Sequence, residues 1–177
     1  MGFDKLTASF AGEPLARRVA RALLELEPLF VATPSVAGAI SDLRGVRIVV
    51  TPPTAGPSET LALANAAIPD DAYLAVTACD LPFLDAAHVR AFVARVHGEP
   101  DVAWPVVRGT PGHPVLWSPE ARARIPALEP DEPPMRVRRD PALRTTSIAE
   151  ESDAYVTDVD TPDRWAEAEL RATRALR

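Results

Sequence analysis

Between Tyr73 and Leu84 the sequence reads Tyr-Leu-Ala-Val-Thr-Ala-Cys-Asp-Leu-Pro-Phe-Leu, an apolar run that stops at one acid, Asp80, and turns at Pro82. A run so short and so apolar predicts a strand buried on both faces. Asp80 would then emerge at the carboxyl edge of a sheet, where open α/β sheets bind their ligands.

The neighbouring segments fit such a sheet. Pro14 to Glu27 places Leu15, Val19, Leu23 and Leu26 at helical spacing with Arg17, Arg18, Arg21 and Glu25 between them, which predicts an amphipathic helix. Leu29 to Thr33 and Val46 to Val50 read as strands, the second ending in the breaker cluster Thr51-Pro-Pro-Thr-Ala-Gly-Pro57. Ser58 to Ile68 reads as a helix with Pro57 near its first turn, and Asp85 to His97 as another with Asp85 as its cap. This alternation predicts an α/β fold, a Rossmann-like, mostly parallel sheet with helices on both faces.

The second half is less regular. Val102 to Val107 and Pro114 to Trp117 read as strands, Pro119 to Ile125 as a short helix, and Leu128 to Asp140 as a charged, proline-rich excursion. Leu143 to Ile148 and Tyr155 to Val159 read as strands. Thr161 to Leu176 closes the chain as a helix, with Thr161 as N-cap, Pro162 at the first helical position and Asp163 complementing the positive helix end.

With 177 residues, 47% of them hydrophobic, and no internal repeat or linker, residues 1–177 are expected to form one domain. A net charge of −6 gives no basic footprint for nucleic acid or an anionic membrane. The single cysteine, Cys79, excludes an internal disulfide framework, and no apolar run approaches the roughly 20 residues of a membrane span. A cytoplasmic protein is expected. Cys79 reads as a small apolar residue of a buried strand, and Trp104, Trp117 and Trp165 as packing residues.

Asp80 has counterparts near the end of the chain. Asp158 or Asp160 closes another predicted strand just before a capped helix. Two carboxylates at one sheet edge suit Mg2+, which takes oxygen ligands and commonly one or two carboxylates plus substrate phosphates. The same residues also fit an ordinary turn and an ordinary helix start. Gly56-Pro-Ser58 opens a helix whose free N–H groups can bind an anion, with the Ser58 hydroxyl beside them, or it is a plain cap. Gly109-Thr-Pro-Gly-His-Pro114 sets His113 just before a strand, to contact substrate or to serve the loop; His88 and His97 read as surface residues of a helix. Lys5 is a cation able to neutralise phosphate, or a surface lysine. No His/Cys cluster has zinc-ligand spacing.

Together these segments resemble the molybdenum-cofactor nucleotidyltransferases, the guanylyl- and cytidylyltransferases that attach a nucleotide to molybdopterin. The resemblance rests on Met1-Gly-Phe-Asp-Lys5, Gly12-Glu-Pro-Leu15, Gly56-Pro-Ser58, Ala78-Cys-Asp-Leu-Pro-Phe-Leu84, Gly112-His-Pro-Val-Leu116 and Asp158-Val-Asp-Thr-Pro-Asp163. The Cys-Asp-Leu-Pro-Phe element is the most specific. The resemblance implies Mg2+-dependent attack of a phosphorylated acceptor, molybdopterin above all, on the α-phosphorus of GTP or CTP, with loss of pyrophosphate. It implies Asp80 as principal metal ligand, Asp160 as the second with Asp158 as alternative, and Lys5 facing the triphosphate. Ser58 would lie near the nucleotide, with Gly112 and His113 on the acceptor side. Such a reaction asks mainly for positioning and charge neutralisation, so no nucleophilic side chain is needed. Met1-Gly-x-Asp-Lys5 resembles the guanylyl branch, whereas Gly112-His-Pro-Val-Leu116 and the Asp-rich ending resemble the cytidylyl branch.

The alternative is a non-catalytic relative that binds a nucleotide or cofactor, or serves a molybdoenzyme or another protein of the cofactor pathway as an accessory factor. Enzymes of the family carry a strand and a glycine-rich loop, Leu-Ala-Gly-Gly-x-Ser-x-Arg, directly before the Met-Gly-x-Asp-Lys element. The expectation is therefore that Met1 is an internal methionine and that the upstream codons encode this loop. Sequencing the DNA before Met1 checks it: a stop codon directly upstream, with no glycine-rich frame, defeats the expectation.

Overall fold

Short β-branched runs separated by proline and glycine clusters cannot form long ladders, and the strands are accordingly two to six residues long. The computed structural model describes residues 4–175. In chain order the elements are β1 (Ser9–Phe10), β2 (Glu13–Pro14), α1 (Leu15–Ala22), β3 (Leu29–Ala32), α2 (Pro34–Ile40), β4 (Arg47–Val50), α3 (Pro57–Ala66), β5 (Leu74–Val76) and α4 (Ala86–Arg95). There follow β6 (Val102–Val107), β7 (Thr110–Pro111), β8 (Val115–Trp117), α5 (Pro119–Arg122), β9 (Thr145–Glu150) and α6 (Pro162–Ala175). Of the expected elements, Met1 to Phe3 and Leu176 lie outside the described residues.

The α/β architecture is the expected one, but the sheet is mixed and divided. β3 and β4 pair in parallel as one unit. In the larger sheet β6 is central: β9 runs parallel along its whole length, while β8 and β7 share its other side in antiparallel register and β5 joins antiparallel to β8. Pro105 sits where β6 passes from its β8 partner to its β7 partner, a position at which a missing N–H is tolerated, and its carbonyl accepts from the Gly112 N–H at 2.9 Å. Alternation of side chains along β6 and β8 feeds two cores. Val102, Val115 and Trp117 pack with Leu61 of α3 and Ala121 of α5, whereas Ala103, Val107 and Leu116 pack with Phe92 of α4 and Ala168 and Ala172 of α6. A third cluster joins α1, α2 and β3 through Ala16, Ala20, Phe30, Val36 and Ile40.

Several expectations are corrected. The Tyr73 strand is not buried on both faces: it spans only Leu74–Val76, Ala75 is exposed, and Tyr73 retains 49% of its surface. Its one strand partner among the described residues is β8. Tyr155 to Val159 forms no strand. Asp153–Tyr155 is a 3-10 turn, with the Asp153 carbonyl accepting from Val156 and Thr157, and Tyr155 and Val159 are apolar because they plug the core beside α4 and α6. The first helix stops at Ala22 and continues as a 3-10 turn to Leu26. α2 is absent from the sequence expectations because Pro34-Ser-Val-Ala-Gly-Ala-Ile40 has no polar stripe to reveal a helical period. The expected caps hold: Asp85 Oδ1 accepts from the His88 N–H at 2.9 Å, and Thr161 Oγ1 from the Arg164 N–H at 3.3 Å. His88 is not a plain surface residue, since its ring joins Asp85 at 2.7 Å to Ser152 at 3.1 Å and stands edge-on to Tyr155.

Two buried polar groups set the strand ends. Arg122, 3% exposed, donates to the Asn65 side chain and to the carbonyls of Pro69 and Ala72, fixing the turn that enters β5. Asp101, 7% exposed, accepts from the Arg144 N–H at 2.8 Å and the Ser118 hydroxyl at 3.0 Å, so it ties the starts of β6 and β9 to the end of β8. Burial alone would raise the Asp101 pKa, but these hydrogen bonds and the Arg144 charge outweigh it and hold the carboxyl below its ordinary value. Its contribution is therefore present above the unfolded value of about 4 and is lost as pH falls through the lower folded value. Asp101→Ala is expected to cost about 2–3 kcal/mol in urea denaturation at pH 7. The difference from wild type should narrow steadily below about pH 4.

Candidate active site

The register fixes which loops meet. β5 and β6 are both antiparallel to β8, and β9 is parallel to β6, so the carboxyl ends of β5, β6 and β9 fall on one edge. That edge receives Thr77 to Asp80 after β5, Gly112-His113 before β8, and the 151–160 segment after β9. A ligand site at the carboxyl ends of strands is the general rule for such sheets.

Three of the residues expected from the sequence converge there. The Lys5 ammonium donates to Asp80 Oδ2 at 2.7 Å and, in a second close ion pair, to Asp160 Oδ1. Lys5 and Asp80 are mostly shielded, at 27% and 19% side-chain exposure, while Asp160 is open at 56%. Burial alone would lower the Lys5 pKa, yet the hydrogen bonds and charges of Asp160 and Asp80 override it and raise the ammonium above its ordinary value. Asp160 moves the opposite way: the Lys5 hydrogen bond, against burial, holds it below the usual carboxylate range. Asp158, the alternative to Asp160, turns away into an ion pair with Arg164.

Local structure explains the convergence. Asp4 brackets Lys5: its carboxylate accepts from the Leu6 N–H at 3.1 Å and from the Ser35 hydroxyl at 3.4 Å, which links the Lys5 turn to the start of α2. The Asp80-Leu81-Pro82 turn is anchored from beneath, where Leu81 and Leu84 are buried against Phe92 and α6, and from the side, where Arg18 Nε donates to the Pro82 carbonyl at 3.2 Å. Asp4, Ser35 and Arg18 are supports that the sequence reading did not single out; the polar face of the Leu15–Ala22 helix was the one available signal for Arg18. Beside Asp80, burial first and the Asp80 charge second push the Cys79 thiol up to about 12, so it stays neutral and packs against the α1, α2 and β3 cluster.

Gly112 and His113 sit at the same edge. The His113 N–H donates to the Tyr155 carbonyl at 2.9 Å, and its Nδ1 lies 3.3 Å from the carbonyl of Val76, the last residue of β5. Gly112 is required by close approach: a Cβ there would lie 2.4 Å from the Tyr155 carbonyl oxygen and 2.8 Å from Val156 Cγ1. Ser58 is not brought to the Lys5 cluster. It is 2% exposed, its hydroxyl donates to the Glu132 carbonyl at 2.6 Å, and the following Glu59 N–H is taken by the Pro130 carbonyl at 3.2 Å. The start of α3 is thus covered by the 130–132 segment, which also approaches Gly56 too closely for any side chain there.

The donor set decides what the edge can hold. Two carboxylates already converge on one cation, the Lys5 ammonium, and hard oxygen donors around a cation suit a divalent ion that completes its shell with water and phosphate oxygens. Among the described residues no group of three or more His, Cys, Asp or Glu side chains has metal-binding geometry. None of the described helices is long and apolar enough to cross a membrane.

Gly112→Ala is expected to displace the 155–156 backbone, with a loss of about 1–3 kcal/mol in urea denaturation.

Comparison with solved structures shows the same fold throughout. A homologue of Mycobacterium tuberculosis rv0371c from Mycobacterium sp. strain JC1 superposes with a TM-score of 0.80 at 20% identity, covering 99% of this chain and 91% of its own. Molybdopterin-guanine dinucleotide biosynthesis protein A from Archaeoglobus fulgidus gives 0.77 at 14% identity, with 98% and 92% covered. Rv0371c of M. tuberculosis H37Rv, in a complex with manganese, gives 0.76 at 16% identity, with 94% and 91% covered. No curated protein sequence matches the chain. Residues 1–151 match the family described as the MobA-like NTP transferase domain, and the chain belongs to that family.

Proposed function

We propose that this chain transfers a nucleotidyl group from GTP or CTP to a phosphorylated acceptor, with molybdopterin the favoured acceptor, and releases pyrophosphate. The observation that carries the reading is the meeting of Lys5, Asp80 and Asp160 at the carboxyl edge of the sheet, in a chain of the NTP transferase family. Nucleotidyl transfer is the activity the family supports; the two bases, the acceptor and Mg2+ are the finer proposal.

An acceptor phosphate oxygen attacks the α-phosphorus, a new P–O bond forms, and the bond to the bridging oxygen breaks, so pyrophosphate leaves with the electron pair. The protein has to align these groups and offset their negative charge. Asp80 and Asp160 would hold Mg2+, which neutralises phosphate charge and so stabilises the transition state. Lys5 supplies a mobile point charge for the triphosphate. Gly112 keeps the loop backbone close to Tyr155, and His113, which lies over the end of β5, would face the acceptor. Ser58 contributes indirectly, by fixing the start of α3 to Glu132.

Calorimetry with GTP and CTP in Mg2+ tests the nucleotide half of the reading. Binding is expected, with Asp80→Ala weakening it by about two orders of magnitude, in line with loss of a principal metal ligand. Absence of NTP binding ends the proposal. Pyrophosphate release with each of the four NTPs and molybdopterin then separates transfer from a role in binding alone: binding without release favours the accessory module.

A further inference from the structure

Lys5 makes two ion pairs with the very carboxylates that would hold the metal, so the ammonium stands where a divalent cation would stand. Resting on the proposed metal role of Asp80 and Asp160, we propose that Lys5 is a built-in counter-ion that competes with the metal for this seat, so that the divalent ion enters with a nucleotide and not alone.

The argument is one of charge and space. Without a cation, Asp80 and Asp160 would be two like charges brought together at a partly shielded edge, a costly arrangement. The Lys5 ammonium relieves it by bonding to both carboxylates at once. A divalent ion alone must evict Lys5 and leave it beside a doubly charged neighbour with no new anionic partner. A nucleotide changes this balance, since its triphosphate offers Lys5 a replacement partner within reach of a flexible four-carbon stem. A second cation acting on Asp160 is Arg164, which is bonded to Asp158 and reaches Asp160 through its field. Arg164 therefore separates occupancy of the seat from general electrostatics.

The test uses Mn2+ alone, with no nucleotide, read by electron paramagnetic resonance of the free ion at low salt. If the seat is free for a tenth of the time or less, Lys5→Met should bind Mn2+ at least about tenfold more tightly than wild type. Arg164→Gln should gain less than about threefold, as expected of a partly screened charge. Adding Asp80→Asn to Lys5→Met should remove the gain. Equal Mn2+ affinity in wild type and Lys5→Met overturns the competition, as does an Arg164→Gln gain as large as that of Lys5→Met. A gain in Lys5→Met that survives Asp80→Asn overturns the assignment of the metal seat itself, a failure of the proposed function and not only of the competition. Wild type provides a check that needs no variant: the hydrogen-bonded Lys5 ammonium signal in nitrogen-15 NMR should shift when Mg2+ and GTP are added together. An unchanged signal under conditions where calorimetry shows binding also overturns the proposal.

Discussion

The double ion pair of Lys5 is the contact on which the candidate site depends. It spans 75 residues of sequence to Asp80 and 155 to Asp160, joining the segment before α1, the turn after β5 and the segment before α6 at one point. Exposed ion pairs contribute little to stability, and Asp160 is largely open. The weight of the contact therefore lies in geometry. It brings two acids from separate loops to a common cation, and the packing of Leu81, Leu84, Ala168 and Ala172 beneath them supplies the rigidity.

That division of labour runs through the molecule. The apolar alternation of β6 and β8 serves cores on both faces, so the central strands cannot shift register without exposing one of them. Buried polar groups then fix the ends: Asp101 clasps one end of three strands, and Arg122 holds the approach to β5. The opposite edge is left to loops whose polar side chains face one another. A rigid sheet with its chemistry on loops suits a reaction that needs aligned phosphates more than a reactive side chain.

Much of this was legible in the sequence, for identifiable reasons. Caps at Asp85 and Thr161 are local and depend on neighbours a few residues away, so they were read correctly. Lys5, Asp80 and Asp160 became a group through their order along a familiar pattern, and the structure brings them into contact. Pairing partners were not legible, because an apolar triplet such as Leu74–Val76 has the same composition beside one partner or two. The 155–159 segment misled for a related reason: Tyr155 and Val159 are apolar as plugs of the core. Ser58 had the right type and place for an anion site, but the covering segment around Glu132 is 74 residues away in sequence.

The hydrogen bond from His113 to the Tyr155 carbonyl gears two loops together. Tyr155 begins the short path to Asp160, and Gly112 lies so close to it that no side chain fits between them. The segment that leads to the acid meeting Lys5 and the loop that carries the histidine over the end of β5 thus share one backbone contact. Any side chain at position 112 would part the two loops, so the spacing between the acid that meets Lys5 and the histidine over β5 rests on a single glycine.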